Sequence, residues 1–364
     1  MPKTPSASDV PAHVTVHGLH KVCLTAERGG TFEQVMPNTE TFSSLVVAIN
    51  IGLEMLESPA GRHALANLGQ AVIARRDYPS FNFTGEPARM SEYVDHFLRR
   101  VRHDFPLLAL VDFKESKIVA VSDRGAWNGR LDNYQPKKGG FISYNSRRVK
   151  AMVDAYEAQW AAKSGSSDQR RYLERWQTFL FLFACATLHE LGHLFLGYLA
   201  LGNDFFTPPE VTYLSYGSAI RVGRATVLIG ESGRWLESVL YGGALEFYRD
   251  PNQGRGQAGI PHILDRQATA YRIKQQSLLQ FLRSPRRYTF PFEVAEDGLT
   301  TEDRRRLRLE EAGVTVSGTP TPPNARTMRA MEVMTGFRTF SIGEDLLRER
   351  ATRPNVQLAV QARS

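Results

Sequence analysis

The sequence predicts an α+β fold that is mostly helical. Apolar residues recur every three or four positions through residues 41–76 and 88–103, which is the spacing of amphipathic helices. Between residues 107 and 145 short apolar runs alternate with Gly, Lys and Ser, which indicates strands of a small mixed sheet. A long apolar stretch at residues 179–201 indicates a helix that is buried on nearly all sides.

The first half of the chain contains several start and turn signals. Pro59 is expected just inside a second helix, where its missing N–H costs nothing. Residues 107–113 and 117–122 are expected to form a β-hairpin across the polar stretch between them. Residues 141–145 are expected to form a further short strand, followed by a helix over about 147–162.

The long apolar helix has its own signals. Ser166 and Gln169 are spaced as a capping box, and Gly202 suits the end of the helix. Because about thirty-five residues exceed an ordinary helix, we expect a break near Arg175. Downstream of it we expect strands at 211–214 and 225–229, a helix over about 231–247 and a mainly helical last hundred residues.

The 364 residues are enough for one large domain or two modest ones. We expect a helical N-terminal region over residues 1–105, a core over residues 106–250, and a helical C-terminal region over residues 251–364. A linker is expected near residues 317–324, where the sequence is SGTPTPPN. The last thirty residues are expected to be poorly ordered.

Composition and charge limit the possible partners. Two cysteines exclude a disulfide framework, and the first residues lack an apolar leader, so a cytoplasmic location is expected. The net charge of +7 comes from scattered arginines without a nucleic-acid-reading module, so no nucleic-acid partner is expected. The apolar stretch is long enough to span a bilayer, but His189, Glu190 and His193 interrupt it, so no membrane partner is expected either.

The sequence His189-Glu190-Leu191-Gly192-His193 predicts a metal site. On a helix, two histidines four residues apart lie on one face, so both imidazoles can bind one cation. The glutamate between them then lies beside the metal, where it can act as general base towards a water molecule. A glutamate in so apolar a segment would be costly without a cation nearby. We therefore expect Zn²⁺, with Glu190 as a catalytic residue.

A catalytic zinc ion needs a third protein ligand. Glu231 is favoured because Ser232 and Gly233 would let its helix approach the first one, where Gly192 also lacks a side chain. A carboxylate in a first helical turn that complements the helix dipole is the structural alternative. The other candidates are Glu237, which ranks second, Glu246, Asp204, Glu210 and His262.

Residues 140–245 resemble the gluzincin metallopeptidases, and most closely the ImmA/IrrE-like branch, by the pairing of HELGH with the downstream segment around Glu231. The resemblance implies a zincin-like core with Glu231 as the third zinc ligand. In that branch a strand that ends in Asn precedes the zinc helix, as residues 142–145 do here; at a sheet edge it would hold an extended peptide. Tyr241-Gly242-Gly243 departs from the Met-Pro end of many relatives, and no helix-turn-helix module is visible.

The expected chemistry is cleavage of a peptide or amide bond by metal-activated water. An oxyanion would be stabilised by a Tyr, His or Arg side chain, with Arg234 and Tyr241 as the expected residues and Tyr213, Tyr216 and His262 as alternatives. A biosynthetic enzyme that uses zinc as a Lewis acid on a small molecule is an alternative function. A non-catalytic zinc-binding regulator is another, although an intact Glu190 argues against it. The substrate, a peptide or a small molecule, and the oligomeric state stay open.

Overall fold

The computed structural model describes residues 17–363, except 76–80, 82, 116, 128, 204, 223–224, 255 and 314–324. The helices are α1 (Glu40–Glu57), α2 (Pro59–Ile73), α3 (Met90–His103), α4 (Pro136–Gly139), α5 (Ser146–Ala161), α6 (Ser167–Leu199), α7 (Ser232–Tyr241), α8 (Gln275–Arg283), α9 (Thr301–Arg306), α10 (Ala325–Thr335) and α11 (Glu344–Thr352). The strands are β1 (Leu19–Val22), β2 (Leu24–Arg28), β3 (Thr31–Gln34), β4 (Leu107–Val111), β5 (Ala120–Arg124), β6 (Gly140–Asn145), β7 (Ser218–Val222), β8 (Ala225–Ile229), β9 (Ala244–Tyr248), β10 (Ile260–Leu264), β11 (Ala270–Arg272), β12 (Glu311–Gly313), β13 (Thr339–Ile342) and β14 (Val360–Arg363).

These elements confirm an α+β fold with small mixed sheets. The main sheet has the order β3-β2-β4-β6-β5, in which β2, β4 and β6 are parallel and the two outer strands are antiparallel to their neighbours. β4 and β6 are almost wholly buried, as expected for strands covered on both faces. Because β2 and β3 precede residue 106, this sheet joins the N-terminal region to the core.

The expected hairpin between residues 107–113 and 117–122 is wrong. β4 and β5 are not neighbours, because β6 lies between them and pairs with both. β4 is instead a central strand, with the parallel strands β2 and β6 on its two edges. The strand that ends in Asn145 is therefore internal, and β5 is the outermost strand of the sheet on that side.

Helix α6 is the centre of the fold. Ser166 caps its start by accepting a hydrogen bond from Gln169 N at 3.1 Å, which is one half of the predicted capping box; the Gln169 side chain accepts from Gly165 N at 2.8 Å instead of from Ser166 N. The expected break near Arg175 is wrong, since the helix is continuous from Ser167 to Leu199. α6 is long and apolar enough to cross a membrane by length and composition, but its apolar window is buried throughout within the fold, and a core helix passes the same test.

Small and polar residues set the position of α6 against its neighbours. It packs on α1, α5 and α7, and Tyr144 of β6 hydrogen-bonds through its hydroxyl to Thr187 Oγ1 at 2.7 Å. Gly52 of α1 faces the same turn, where a Cβ atom would lie 2.4 Å from Ala184 O. The two helices therefore approach each other at a spacing that only glycine permits at this position.

The chain after α7 differs from the sequence prediction. A helix was expected to about residue 247, but α7 ends at Gly242, which has a left-handed φ of 77°. A Cβ atom at the next residue, Gly243, would lie 2.1 Å from Leu264 O, so the second glycine admits the close pairing of β9 with β10. The C-terminal region is correspondingly mixed, with the sheets β11-β10-β9-β12 and β1-β13-β14 beside its helices. The expected linker near 317–324 lies outside the described residues.

We expect Gly52→Ala to lower the free energy of unfolding by about 1–3 kcal/mol, because the added methyl group would overlap the α6 backbone. The gain in helix propensity, about 1 kcal/mol, offsets only part of this loss. Urea denaturation followed by circular dichroism measures the effect. Gly254→Ala is the control, because a Cβ atom there meets nothing within 4 Å; equal stability of the two variants would contradict the packing argument.

Candidate metal centre

His189 and His193 on α6 and Glu231 immediately before α7 form a group that could bind a metal ion. The Glu231 Oε1 atom lies 2.7 Å from His193 Nε2 and 3.3 Å from His189 Nε2. A tetrahedral ion with bonds of about 2.0–2.1 Å separates neighbouring ligand atoms by about 3.3 Å, which equals the longer of these distances, so of the two pairs only His193 and Glu231 would have to move apart to admit the ion. Within the part of the chain that the structure describes, no other set of three His, Cys, Asp or Glu residues forms such a group.

The polar atoms of this group are buried and are arranged as a bound cation would require. His189, His193 and Glu231 are at most 2 % exposed. The two Nε2 atoms and Glu231 Oε1 nevertheless have no hydrogen bond of acceptable geometry within the described structure. Because buried polar atoms are almost always hydrogen-bonded, three such atoms that meet at ion-pair distance without a well-directed hydrogen bond are an arrangement that a shared cation would satisfy.

The opposite side of each imidazole ring is held by a hydrogen bond. His189 Nδ1 lies 2.7 Å from Glu237 Oε1, and because a carboxylate only accepts, the nitrogen is the donor. Ser232 Oγ lies 2.7 Å from His193 Nδ1. When Nδ1 carries the proton, the Nε2 lone pair is free for a metal, so the Glu237 contact fixes the tautomer that a ligand histidine needs at His189. The Ser232 hydroxyl, which can donate or accept, is compatible with the same tautomer at His193.

Glu231 is anchored by its backbone and by its second oxygen. It is the N-cap residue of α7, where Oε2 accepts a hydrogen bond from Arg234 N. Its own N–H donates to Val211 O at 2.9 Å, and the N–H of Gly230 donates to Thr207 O at 2.9 Å. One oxygen therefore caps the helix while the other faces the histidines, so the helix-terminus role is compatible with a position from which Glu231 could bind a cation.

Glycines bring α6 and α7 together, as the sequence predicts. A Cβ atom at Gly233 would lie 2.4 Å from Nε2 and Cδ2 of His189. A Cβ atom at Gly192 would lie 2.9 Å from Cδ2 of Leu236 on α7. The metal ligands of the two helices approach each other because neither glycine has a side chain.

In the metal-free protein, the buried positive and negative charges of this site must balance one another. Burial opposes a charged imidazole, but the carboxylates of Glu231 and Glu237 outweigh it and raise the pKa of His189 to about 10. Burial likewise opposes a charged Glu231, but the two histidines outweigh it and hold the pKa of Glu231 well below its usual value. A proton therefore takes the place that a metal ion would otherwise occupy among these groups.

Glu190, the expected general base, lies beside this group in the same buried region. It is 1 % exposed, and its Oε1 atom has no hydrogen-bond partner within the described structure. Asp123 of β5, which the sequence did not single out, is near enough to interact with it. Burial, and then the charge of Glu190, raise the pKa of Asp123 to about 6.

Arg124 is a second residue of β5 that the sequence did not indicate. Its Nε donates to His193 O at 3.2 Å and its Nη1 donates to Phe205 O at 3.2 Å, while the guanidinium lies 4.3 Å from the centre of the Phe205 ring. This side chain ties the outer strand of the sheet to the ligand helix. An arginine at the end of a short strand carries no local signal for such a contact, which depends on the tertiary fold.

The other candidates for the third ligand have different positions. Glu237 hydrogen-bonds to the Nδ1 side of His189, away from the Nε2 atom that faces Glu231. Glu246 accepts hydrogen bonds from the hydroxyls of Tyr216 and Tyr248. Glu210 is exposed, and Asp204 lies outside the described residues.

The residues expected to stabilise an oxyanion are engaged elsewhere. Arg234 is paired with Glu237, at 2.9 Å, and the Tyr241 hydroxyl donates to Met55 Sδ at 3.0 Å. Burial raises the pKa of Tyr241 well above its usual value. The alternatives also have their own contacts: Tyr213 OH with Leu264 O, Tyr216 OH with Glu246, and His262 Nδ1 with Ile260 O.

No family model, curated protein or solved structure matches the chain.

We expect the protein to bind one divalent ion per chain through this group. At a free metal concentration one hundred times Kd, binding raises the free energy of unfolding by about 2.7 kcal/mol. Glu231→Gln should remove most of this increment, because the amide keeps the helix cap but loses the charge that the cation needs. Denaturation with and without Zn²⁺, Co²⁺ or Mn²⁺ measures it. Glu210→Gln, at an exposed candidate, should leave it intact; an equal loss in both variants would contradict the assignment.

Gly233→Ala should lower metal affinity by at least about tenfold, because the new methyl group would displace the His189 ring. Competition with a chromophoric chelator measures the affinity directly. Val239→Ala, a change on the exposed side of the same helix, is the matched control and should bind as the parent does. Parental affinity in Gly233→Ala would show that the two helices are not held at this spacing.

Proposed function

We propose that the chain is a zinc-dependent hydrolase that cleaves a peptide or amide bond. In this proposal His189, His193 and Glu231 hold the zinc ion and Glu190 is the general base. The observation that carries the proposal is the buried Glu190 carboxylate, whose Oε1 atom has no described partner and which directly follows a metal ligand in the sequence. A purely structural metal site would need the two histidines but would gain nothing from this costly group.

The donor set favours zinc. Two imidazoles and one carboxylate are the protein ligands of many catalytic zinc ions, and they leave a fourth position open. When bound, zinc would supply Lewis acidity towards a carbonyl oxygen and lower the pKa of a water molecule at that position.

The protein residues supply the proton transfer and its geometry. Glu190 accepts the proton of the attacking water at Oε1 and delivers it to the leaving nitrogen as the carbon–nitrogen bond breaks. Glu237 keeps the His189 imidazole in the required tautomer, and the Ser232 hydroxyl can accept a hydrogen bond from His193 Nδ1. The low exposure of the site strengthens each of these electrostatic interactions.

The resemblance to the gluzincins supports the same function. The two histidines lie on one helix and the third carboxylate lies at the start of the next helix along the chain, which is the arrangement that the resemblance implies. A zincin-like core is accordingly part of the proposal, with α6 as the zinc helix and β5, rather than β6, as the outer strand on its side of the sheet.

A zinc-dependent enzyme that acts on a small molecule is the second candidate. The burial of the site favours it, since His189, His193, Glu190 and Glu231 are all at most 2 % exposed. An extended polypeptide needs a long open cleft to reach Glu190, whereas a compact substrate needs only a narrow entrance. Both candidates use the same ligands and are separated by the substrate.

We expect Glu190→Gln to retain zinc and to lose hydrolysis by about 10²–10⁴-fold, the usual contribution of a general base. Metal content is measured on the purified protein, and turnover is measured on a peptide library and on a panel of small amides. Cleavage of peptides, small amides or both identifies the substrate class.

Glu174→Gln is the matched control, because Glu174 is exposed on the same helix. It should bind zinc and turn over substrate at the parental rate. Parental turnover in Glu190→Gln would remove Glu190 from the mechanism, and loss of zinc in the same variant would show that its carboxylate is a metal ligand.

A further inference from the structure

We infer that Arg234 is a positioning residue for the metal centre and acts through Glu237 on His189. The inference rests on the metal site of the proposed function, but not on the hydrolysis itself. The side chains form a continuous chain of contacts: His189 Nδ1 to Glu237 Oε1 at 2.7 Å, and Glu237 Oε2 to Arg234 Nη1 at 2.9 Å. Each of the two carboxylate oxygens therefore has a different task.

The Arg234 side chain lies behind His189 and not in front of the metal. Nδ1 and Nε2 point away from opposite sides of the imidazole ring, and Nε2 is the atom that faces Glu231 Oε1. Arg234 reaches Glu237, which is on the Nδ1 side. It is therefore placed to act on a metal ligand, whereas the direct oxyanion role expected from the sequence would need the opposite side.

Glu237 would be unstable in this position without a cation. It is 0 % exposed, and a buried carboxylate is costly unless it is paired and hydrogen-bonded. Arg234, which is 1 % exposed, and the N–H of Leu245 at 3.0 Å both bind Oε2. These two contacts therefore hold the Glu237 side chain in the position from which Oε1 meets His189 Nδ1.

The guanidinium group is itself fixed on two sides. Nη1 also donates to Leu245 O at 2.6 Å, at the start of β9. The guanidinium carbon lies 4.3 Å from the centre of the Tyr216 ring, and the hydroxyl of Tyr216 donates to Glu246. Such support is typical of a group that must hold a charge at one place, since neither the backbone nor the ring allows the guanidinium to move away.

The effects of Arg234 and Glu237 on zinc affinity should be coupled, and metal binding alone is enough to measure this coupling. Glu237→Gln should lower zinc affinity by about 10–100-fold, the usual effect of a partner of a ligand histidine. Arg234→Met should lower it to a similar extent. In the Glu237→Gln background the same change should alter affinity by less than about twofold, because Arg234 then has no carboxylate to hold.

The measurement is competition with a chelator for Zn²⁺, together with the visible absorption spectrum of the Co²⁺-loaded protein, which reports a displaced histidine. Arg249→Met, a change at an exposed arginine that pairs with Glu310, is the control and should leave both unchanged. Parental zinc affinity in Arg234→Met, or an effect that is fully retained in the Glu237→Gln background, would overturn the inference.

A folding defect does not remove the test. If Arg234→Met fails to fold, Arg234→Lys takes its place. The ammonium retains the charge but not the planar guanidinium that lies over the Tyr216 ring and holds Nη1 against Glu237, so affinity should fall severalfold with Glu237 present and stay unchanged in the Glu237→Gln background. An equal effect in both backgrounds would overturn the inference. A protein that binds zinc with this coupling but hydrolyses nothing would end the proposed function and leave the role of Arg234 intact.

Discussion

The structure depends on a cluster of charge in the interior that a divalent cation would balance. Glu190, Glu231 and Glu237 are three carboxyl groups at most 2 % exposed, and Arg234 contributes a buried guanidinium to the same cluster. With neutral histidines and ionised carboxyls these four side chains carry two net negative charges, which equals the charge of one divalent ion. Burying such a cluster uncompensated would cost far more than a domain's net stability. The packing of α6 and α7 therefore places a net negative charge in the interior, which a protonated His189 offsets in part and a divalent cation would balance.

Local sequence signals predicted the parts of this arrangement that depend on neighbours along the chain. The spacing of His189 and His193, the cap at Ser166 and the small residues Ser232 and Gly233 each involve residues within a few positions of one another. Glu231 could be preferred over Glu237 because only one of them lies where the small residues allow a close approach. These features depend on helix geometry, which follows almost directly from the spacing of residues in the sequence.

The features that the sequence missed depend on partners that are distant along the chain. β6 inserts between β4 and β5, and nothing in those short runs encodes which strand is central. Arg124 contacts His193 across sixty-nine positions, and Glu237 contacts His189 across forty-eight. From the sequence, Glu237 could be recognised as a possible ligand. Its position on the Nδ1 side of the His189 ring is visible only when both helices are in place. The Gly242-Gly243 pair was a local signal for the end of α7 that periodicity alone outweighed.

Glu231 is both the candidate third metal ligand and the N-cap residue of α7. Glutamate is not a favoured N-cap residue, because its longer side chain costs more entropy to fix than that of Ser, Thr, Asp or Asn. Here Oε2 caps the N–H of Arg234, while Oε1 faces the two histidines. The helix end therefore removes the conformational freedom of the carboxylate before any cation arrives, and the ordering cost is met by folding instead of by metal binding. The same residue that begins α7 thus makes the site pre-organised, and this links the helix boundary directly to the affinity of the centre.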